Sequence, residues 1–272
     1  MTARETFGAR PEPTQLFDRF QDEFHFQLTA TQAEHERVFR LRHAVYCREL
    51  GYEQAADPAN RLEYDAHDRQ AIHCLVTHRA SGLAAGCLRL VLPSPLETPG
   101  GARLPLQGYA GQSLTHPTWH PERLDRNRIC EVSRLATSPH FRNRPANAAL
   151  VDPAEPPPRF SEAARRTFPV IIIGLFLAST ALVGLAGRRH VFAMMEARLP
   201  RLLAMSGLTF TRVGETIDFH GRRSAYYIDQ GQAESEMHPH LLPLYAHIRQ
   251  SLSPQLPRAM PGGHDAQTTR PG

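Results

Sequence analysis

The chain contains no lysine: all 31 of its basic side chains, counted apart from histidine, are arginines. That absence excludes a lysine Schiff base and the lysine of a phosphate-binding P-loop. Glycine-rich signatures are missing too, with no G-x-G-x-x-G and no G-x-x-x-x-G-K-[ST] run anywhere. Cysteine is sparse. Cys47, Cys74, Cys87 and Cys130 lie far apart with no C-x-x-C spacing, three of them inside apolar or periodic segments. Buried free thiols are expected, and a disulfide framework or zinc site is not. His116 and His120 have helical spacing, but Pro117 and Pro121 forbid a regular helix there, so no metal site is expected. Charge of one sign is also modest. A formal charge of +4 over 272 residues lacks the dense basic stripe of a nucleic-acid binder, although it suits an acidic partner or anionic substrate. The first twenty residues are polar and carry acidic groups, unlike a secretory signal, which makes a cytoplasmic location the expectation.

An apolar fraction of 41% and 21% charged residues describe a globular chain with a core. A flexible leader is expected over 1–20, one domain over 21–252, and a disordered Pro-, Gly- and Arg-rich tail over 253–272. Phe24, Phe26 and Leu28 alternate as one face of a strand. Thr31, with Glu34 three residues on, forms the capping-box pattern for a helix that runs to about Leu50 and stops at Gly51. The runs 71–78 and 84–92 read as a hairpin turning at Ser81-Gly82. Residues 93–128 resist assignment, 129–137 is a further strand, and 139–159 is a proline-rich insertion. A long helix, a strand over 190–195, a helix to Gly207, and strands around 209–219 and 223–229 complete an α/β or α+β layered domain.

Residues 167–187 carry no charged side chain, which by length alone permits a membrane span. Gly174, Ser179, Thr180 and Gly184 dilute the run. Arginine pairs at both ends give no orienting asymmetry, and a span would separate the early strands from the late ones. A buried helix, N-capped by Ser161, is the expectation, with no stable membrane span.

Charge falls where it is costly. Arg42 sits on the apolar stripe of the first helix, Asp65 and Asp68 stand just before a strand, Arg89 projects from a strand interior, and Glu131 and Arg134 punctuate the strand 129–135. Buried charges persist only when paired, and arginine's planar fork suits carboxylates. Taken alone, these residues describe an ion-pair brace as readily as a functional site.

Their order adds to this. F-R-L-R-H-A-V-Y from Phe39, Y-D-A-H-D from Tyr64, G-C-L-R-L from Gly86 and E-V-S-R-L from Glu131 follow one another along the chain. The series resembles the acyl-homoserine-lactone synthases. Arg42 and Tyr46 match their helix motif, Asp65 and Asp68 their acidic pair, Arg89 their strand arginine, and Glu131 and Arg134 their E-x-x-R. Where those synthases carry a tryptophan after the first helix, this chain has Tyr52. That difference, and His73 after the acidic pair, make it more similar to the acyltransferases encoded with PEP-CTERM/exosortase systems and to N-acyl amino acid synthases.

The resemblance implies a GNAT-like acyltransferase fold: a mixed, mostly antiparallel twisted sheet flanked by helices and splayed between its fourth and fifth strands. It implies transfer of a fatty acyl group from a thioester to the amine of an amino acid or related small molecule, with no cofactor. After Thr137 the sequence S-P-H-F-R-N-R-P lacks the R/Q-x-x-G-x-G/A loop that cradles coenzyme A pyrophosphate, which favours acyl carrier protein over coenzyme A as donor. Glu131 would be the base, acting directly or through a water. Arg42, Tyr46, Tyr52, Asp65, Asp68, Arg89, Ser133 and Arg134 would shape the acceptor pocket. If so, Asp68→Asn should remove transfer and leave the melt nearly intact. Alternatives are lactone synthesis from S-adenosylmethionine and a membrane-anchored acyl-binding protein without turnover. One geometric expectation follows. Side chains three apart on a regular strand face opposite ways, so Glu131 and Arg134 share a pocket only if a β-bulge intervenes.

Overall fold

The computed structural model describes residues 13–93, 103–142 and 159–261. The proline-rich stretch expected over 139–159 lies outside these residues from 143 to 158, as do the first twelve residues and 262–272. The leader expected over 1–20 is in part a helix, α1 (Pro13–Glu23), whose Phe20 is fully buried and stacks on Phe24 at 4.8 Å between ring centroids. Strand β1 (Phe24–Leu28) follows directly, with Phe24, Phe26 and Leu28 buried as its alternation requires.

Thr31 caps α2 (Gln32–Arg42) with the reciprocal bonds of a capping box. The helix then widens into a π-helix over His43–Glu49 and ends at Gly51, whose φ is +64°. A π-turn shifts the phase of the side chains beyond it, a distortion often found at functional sites. The hairpin β2 (Ala71–His78) and β3 (Ala84–Val91) turns at Gly82, where φ is +69°. A short helix α3 (Pro105–Tyr109) and several 3-10 turns lead to β4 (Ile129–Thr137). Ser161 caps α4 (Glu162–Arg165), a four-residue helix, and not the long helix α5 (Phe168–Leu185) expected to use it. Next come β5 (His190–Glu196), α6 (Leu199–Ala204), the two-residue strands β6 (Thr211–Arg212) and β7 (Ile217–Asp218), and β8 (Arg222–Asp229). Helices α7 (Gln230–Ser235), α8 (Leu242–Leu252) and α9 (Leu256–Ala259) close the described chain, so part of the segment expected as a disordered tail is helical.

One eight-stranded sheet runs β1-β2-β3-β4-β5-β8-β6, with β7 also paired to β8. All pairings are antiparallel except β4 with β5, which run parallel and touch only over Ile129–Glu131 and His190–Phe192. Beyond those three residues β4 runs on to Thr137 and β5 to Glu196 without pairing to each other. The sheet is therefore splayed there.

Helix α5 lies on the back of the sheet with α8. Leu88, Leu90 and Leu92 meet it there, as their alternation with Cys87, Arg89 and Val91 predicts. Approach is close. A β-carbon on Gly86 would lie 2.9 Å from Leu175, and one on Gly174 would lie 2.9 Å from Phe26. At 18 residues and mean hydropathy 2.4, α5 is long and apolar enough to cross a membrane, but two thirds of it is buried within the protein. A helix apolar on every side is expected in such an interior position.

Candidate active site

The front of the sheet carries the charged residues. Arg42, wholly buried, donates through Nε to Glu63 and through Nη1 and Nη2 to both oxygens of Asp68, at 2.6 and 3.1 Å. Arg89 donates through Nη1 to Asp65 (2.7 Å) and Asp68 (2.9 Å), and through Nε to the Ser133 hydroxyl (3.1 Å). Arg134 reaches Glu53 (2.8 Å), Glu63 (3.2 Å) and Asp65 (3.4 Å). The structure thus brings Arg42, Asp65, Asp68, Arg89, Ser133 and Arg134 into one network. Four carboxylates, counting Glu53 and Glu63, face three guanidinium groups, one negative charge in excess.

Glu53 and Glu63 escaped the sequence analysis. Glu63 stands two residues before Asp65, the spacing that puts two side chains of an extended segment on one side. That signal was available.

Burial alone would raise the Asp68 carboxyl, but Arg42 and Arg89 hold it far below the usual carboxylate range. The same opposition, with Arg89 as the main counter-charge, holds Asp65 down. Asp68 also accepts the Asp65 backbone N–H at 2.7 Å. These partners make it a structural keystone, which revises the expectation that Asp68→Asn leaves the melt intact. His73 is buried beside it, its Nε2 3.6 Å from Asp68, and burial drives the imidazole pKa down to about 3.

The expected bulge lies at Arg134. Pairing of β3 with β4 passes from Arg89↔Ser133 to Cys87↔Ala136, so Leu88 faces both Arg134 and Leu135. Arg134 adopts φ +50°, in the left-handed region that L-residues rarely enter. The extra residue turns Arg134 to the front with Ser133, while Leu135 packs into the rear core. The bulge is held: Tyr46 donates its hydroxyl to the Leu135 carbonyl at 2.8 Å, and the Arg134 guanidinium lies over the Tyr46 ring.

Glu131 departs from expectation. It is fully buried, accepts the Leu106 N–H (2.8 Å) and the Tyr109 hydroxyl (3.2 Å), and does not line the cleft between β4 and β5. Direct contact with an amine in that cleft is therefore not open to it. Burial raises its carboxyl to about 7, against the opposing pull of the Leu106 N–H, Arg89 and Tyr109. Tyr109, which no motif marked, stacks on Phe219 at 4.1 Å. Tyr52 lies across the front, stacked on His220 at 4.8 Å and beneath the Arg223 guanidinium.

The splay itself is a cavity of about 480 Å³. Ser133, Arg134 and Tyr46 border it at the front. Ile172, Phe176 and Ser179 of α5, with Leu199 and Leu203 of α6, give it an apolar rear. A charged front joined to an apolar chamber through an unpaired strand edge suits a molecule with a polar head and an aliphatic tail.

Residues 41–152 match the family described as an acetyltransferase (GNAT) domain. No curated protein matches the chain in sequence. Among solved structures, the chain is similar to BjaI, a CoA-dependent acyl-homoserine lactone synthase with SAM and isopentyl-CoA, at TM-score 0.55 and 17% identity, over 83% of this chain and 89% of that one. It is similar to TofI, solved with an inhibitor and MTA, at TM-score 0.51 and 17% identity, over 80% and 99%. It is also similar to FeeM, an N-acyl amino acid synthase from uncultured soil microbes, at TM-score 0.50 and 14% identity, over 80% and 97%. The domain match over residues 41–152 and the shared GNAT-like fold support an acyltransferase enzyme.

Proposed function

We propose that the protein transfers a fatty acyl group from an acyl carrier protein thioester to the amine of an amino acid or related small molecule. The observation that carries this reading is the splay, with its apolar chamber behind and its carboxylate-rich network in front. The acyl chain fits the rear among Ile172, Phe176 and Leu203, and the thioester carbonyl falls in the gap. The edge of β4 beyond Glu131 has no strand partner there, so its N–H groups are available to an oxyanion. The amine approaches from the front, drawn by the excess negative charge of Glu53 and Asp65.

An ammonium must lose a proton before it attacks. With a carboxyl near 7, Glu131 is poised to accept it around neutral pH, by relay through a water or the Tyr109 hydroxyl. The free amine then adds to the thioester carbonyl, the oxyanion collapses, and the C–S bond breaks. The thiolate leaves with a proton as the amide forms.

The carrier protein is favoured as donor because residues 138–142 offer no glycine loop for pyrophosphate, and because the chain is basic while carrier proteins are acidic. That donor fits a cytoplasmic enzyme. Mass spectrometry of lipids from cells expressing the chain tests the reading: N-acylated small molecules should accumulate, and should vanish with Glu131→Gln. An unchanged lipid profile would contradict it.

A further inference from the structure

The arginines around the cleft are not equivalent. Arg134 is committed to Glu53, Glu63 and Asp65, and Arg142 donates to the Thr137 carbonyl and to Glu49. Arg223 is different. It lines the same cleft from β8, with its side chain 21% exposed, yet its Nε is buried without a hydrogen-bond partner. Its neighbouring carboxylate, Glu196 on the adjoining strand, stays 3.6 Å away, beyond hydrogen-bond reach, and is itself 52% exposed. The guanidinium is nevertheless held in place, over the Tyr52 ring at 5.5 Å from its centroid. A fixed, partly desolvated fork with a spare donor suits a planar anion in two-point contact.

Its surroundings define the rest of that anion. Arg223 shares the front face of the sheet with Ser133 and Arg89, through the pairings that run β8 to β5, β5 to β4 and β4 to β3. Glu53 follows Tyr52 in the chain, and with Asp65 it supplies the unbalanced negative charge of the network. A cationic pole and an anionic pole therefore flank Tyr52. The chemical group that matches both is a zwitterion with an ammonium and a carboxylate on the same carbon.

We infer that Arg223 binds the carboxylate of the acceptor, and that the acceptor is an α-amino acid with its carboxylate free. This rests on the acyl-transfer reading above and narrows it. Arg223 is a specificity-determining residue. It has no part in the proton transfer.

The test offers the purified protein an acyl carrier protein thioester with two equimolar mixtures, the proteinogenic α-amino acids and their α-amides, and reads products by mass. Wild type should acylate the acids in preference to the amides by roughly ten- to hundredfold, the value of a charge-assisted contact. Arg223→Gln should bring that ratio close to one through the acceptor KM, leaving the donor KM unchanged, and Arg223→Lys should restore part of it. A thermal melt checks that each variant is folded. Equal use of acids and amides by wild type, or a ratio untouched by Arg223→Gln, would overturn the assignment. The same selectivity is read without turnover by saturation-transfer NMR on both mixtures. Acid-selective binding that Arg223→Gln removes, with no acyl product from any acceptor, would uphold Arg223 and remove the acyl-transfer reading instead. Absence of acid-selective binding would remove Arg223.

Discussion

At the scale of single residues, the proposed mechanism requires Glu131 to link stability and activity in opposite directions. Burial raises its carboxyl from 4.5 to about 7, so between those pH values the folded protein holds a proton that the unfolded chain releases. Its contribution to stability is complete below about 4.5 and is lost as pH rises to about 7. Glu131→Gln keeps the shape without the titration. Relative to the parent, it should gain about 3 kcal/mol of stability between pH 4.5 and pH 8, measured as urea midpoints. Activity should run the other way, with kcat/KM rising to a plateau above about 7 and falling roughly 100- to 10,000-fold in Glu131→Gln. A flat stability difference would mean that Glu131 is ionised throughout. Asp68 and Asp65 divide the network differently. Asp68→Asn leaves buried Arg42 and Arg89 short of a partner and should cost roughly 3–5 kcal/mol. Asp65, 31% exposed, should cost less, so Asp65→Asn is the cleaner probe of acceptor binding.

At the scale of elements, the bulge in β4 was legible in advance because two residues three apart had to share one face. Arg134, at φ +50°, supplies the turn. The hairpin and the α2 cap were legible for similar local reasons, through alternation and a capping box. Helix α1 was not. Its buried contacts rest on Leu16, Phe17 and Phe20 among polar residues, and the packing partners that stabilise it, Phe24 and Phe26, lie outside it. Helix α8 did carry a signal, in Leu244, Tyr245, Ile248 and Leu252, spaced for one helical face. Glu131 was expected to face the thioester and is instead covered by α3, a five-residue segment with no periodicity to announce it. Turn chemistry gives a further check. Gly207, at φ +85°, passes so close to Glu236 that an added β-carbon would lie 1.9 Å from its carbonyl oxygen. Gly207→Ala should destabilise by roughly 1–3 kcal/mol or more, read as a lowered Tm. A neutral result would show that this turn rearranges freely. On α5, Ser179→Phe projects into the cleft and should cut transfer of long-chain donors at least tenfold, leaving short-chain donors active. Equal loss for both would place the acyl chain elsewhere.

At the scale of the whole molecule, the sheet separates a charged front from an apolar rear among the described residues. The rear core around α5 supplies the apolar chamber, the front supplies charge, and the β4–β5 splay joins them. The formal charge of +4 gives an acidic carrier protein a favourable encounter. Initial rates with acyl carrier protein thioesters should exceed those with matching coenzyme A thioesters, and should fall as salt screens the approach. Equal rates and no salt dependence would shift the donor to coenzyme A and leave the chemistry untouched. The chemistry itself is tested most directly by following thiol release and amide formation together, with purified protein, a long-chain acyl carrier protein thioester and mixed α-amino acids. One N-acyl amino acid should form for every thiol released, with no release in the absence of an amine. Thiol release that yields free fatty acid, or none at all, would contradict the acyl-transfer reading.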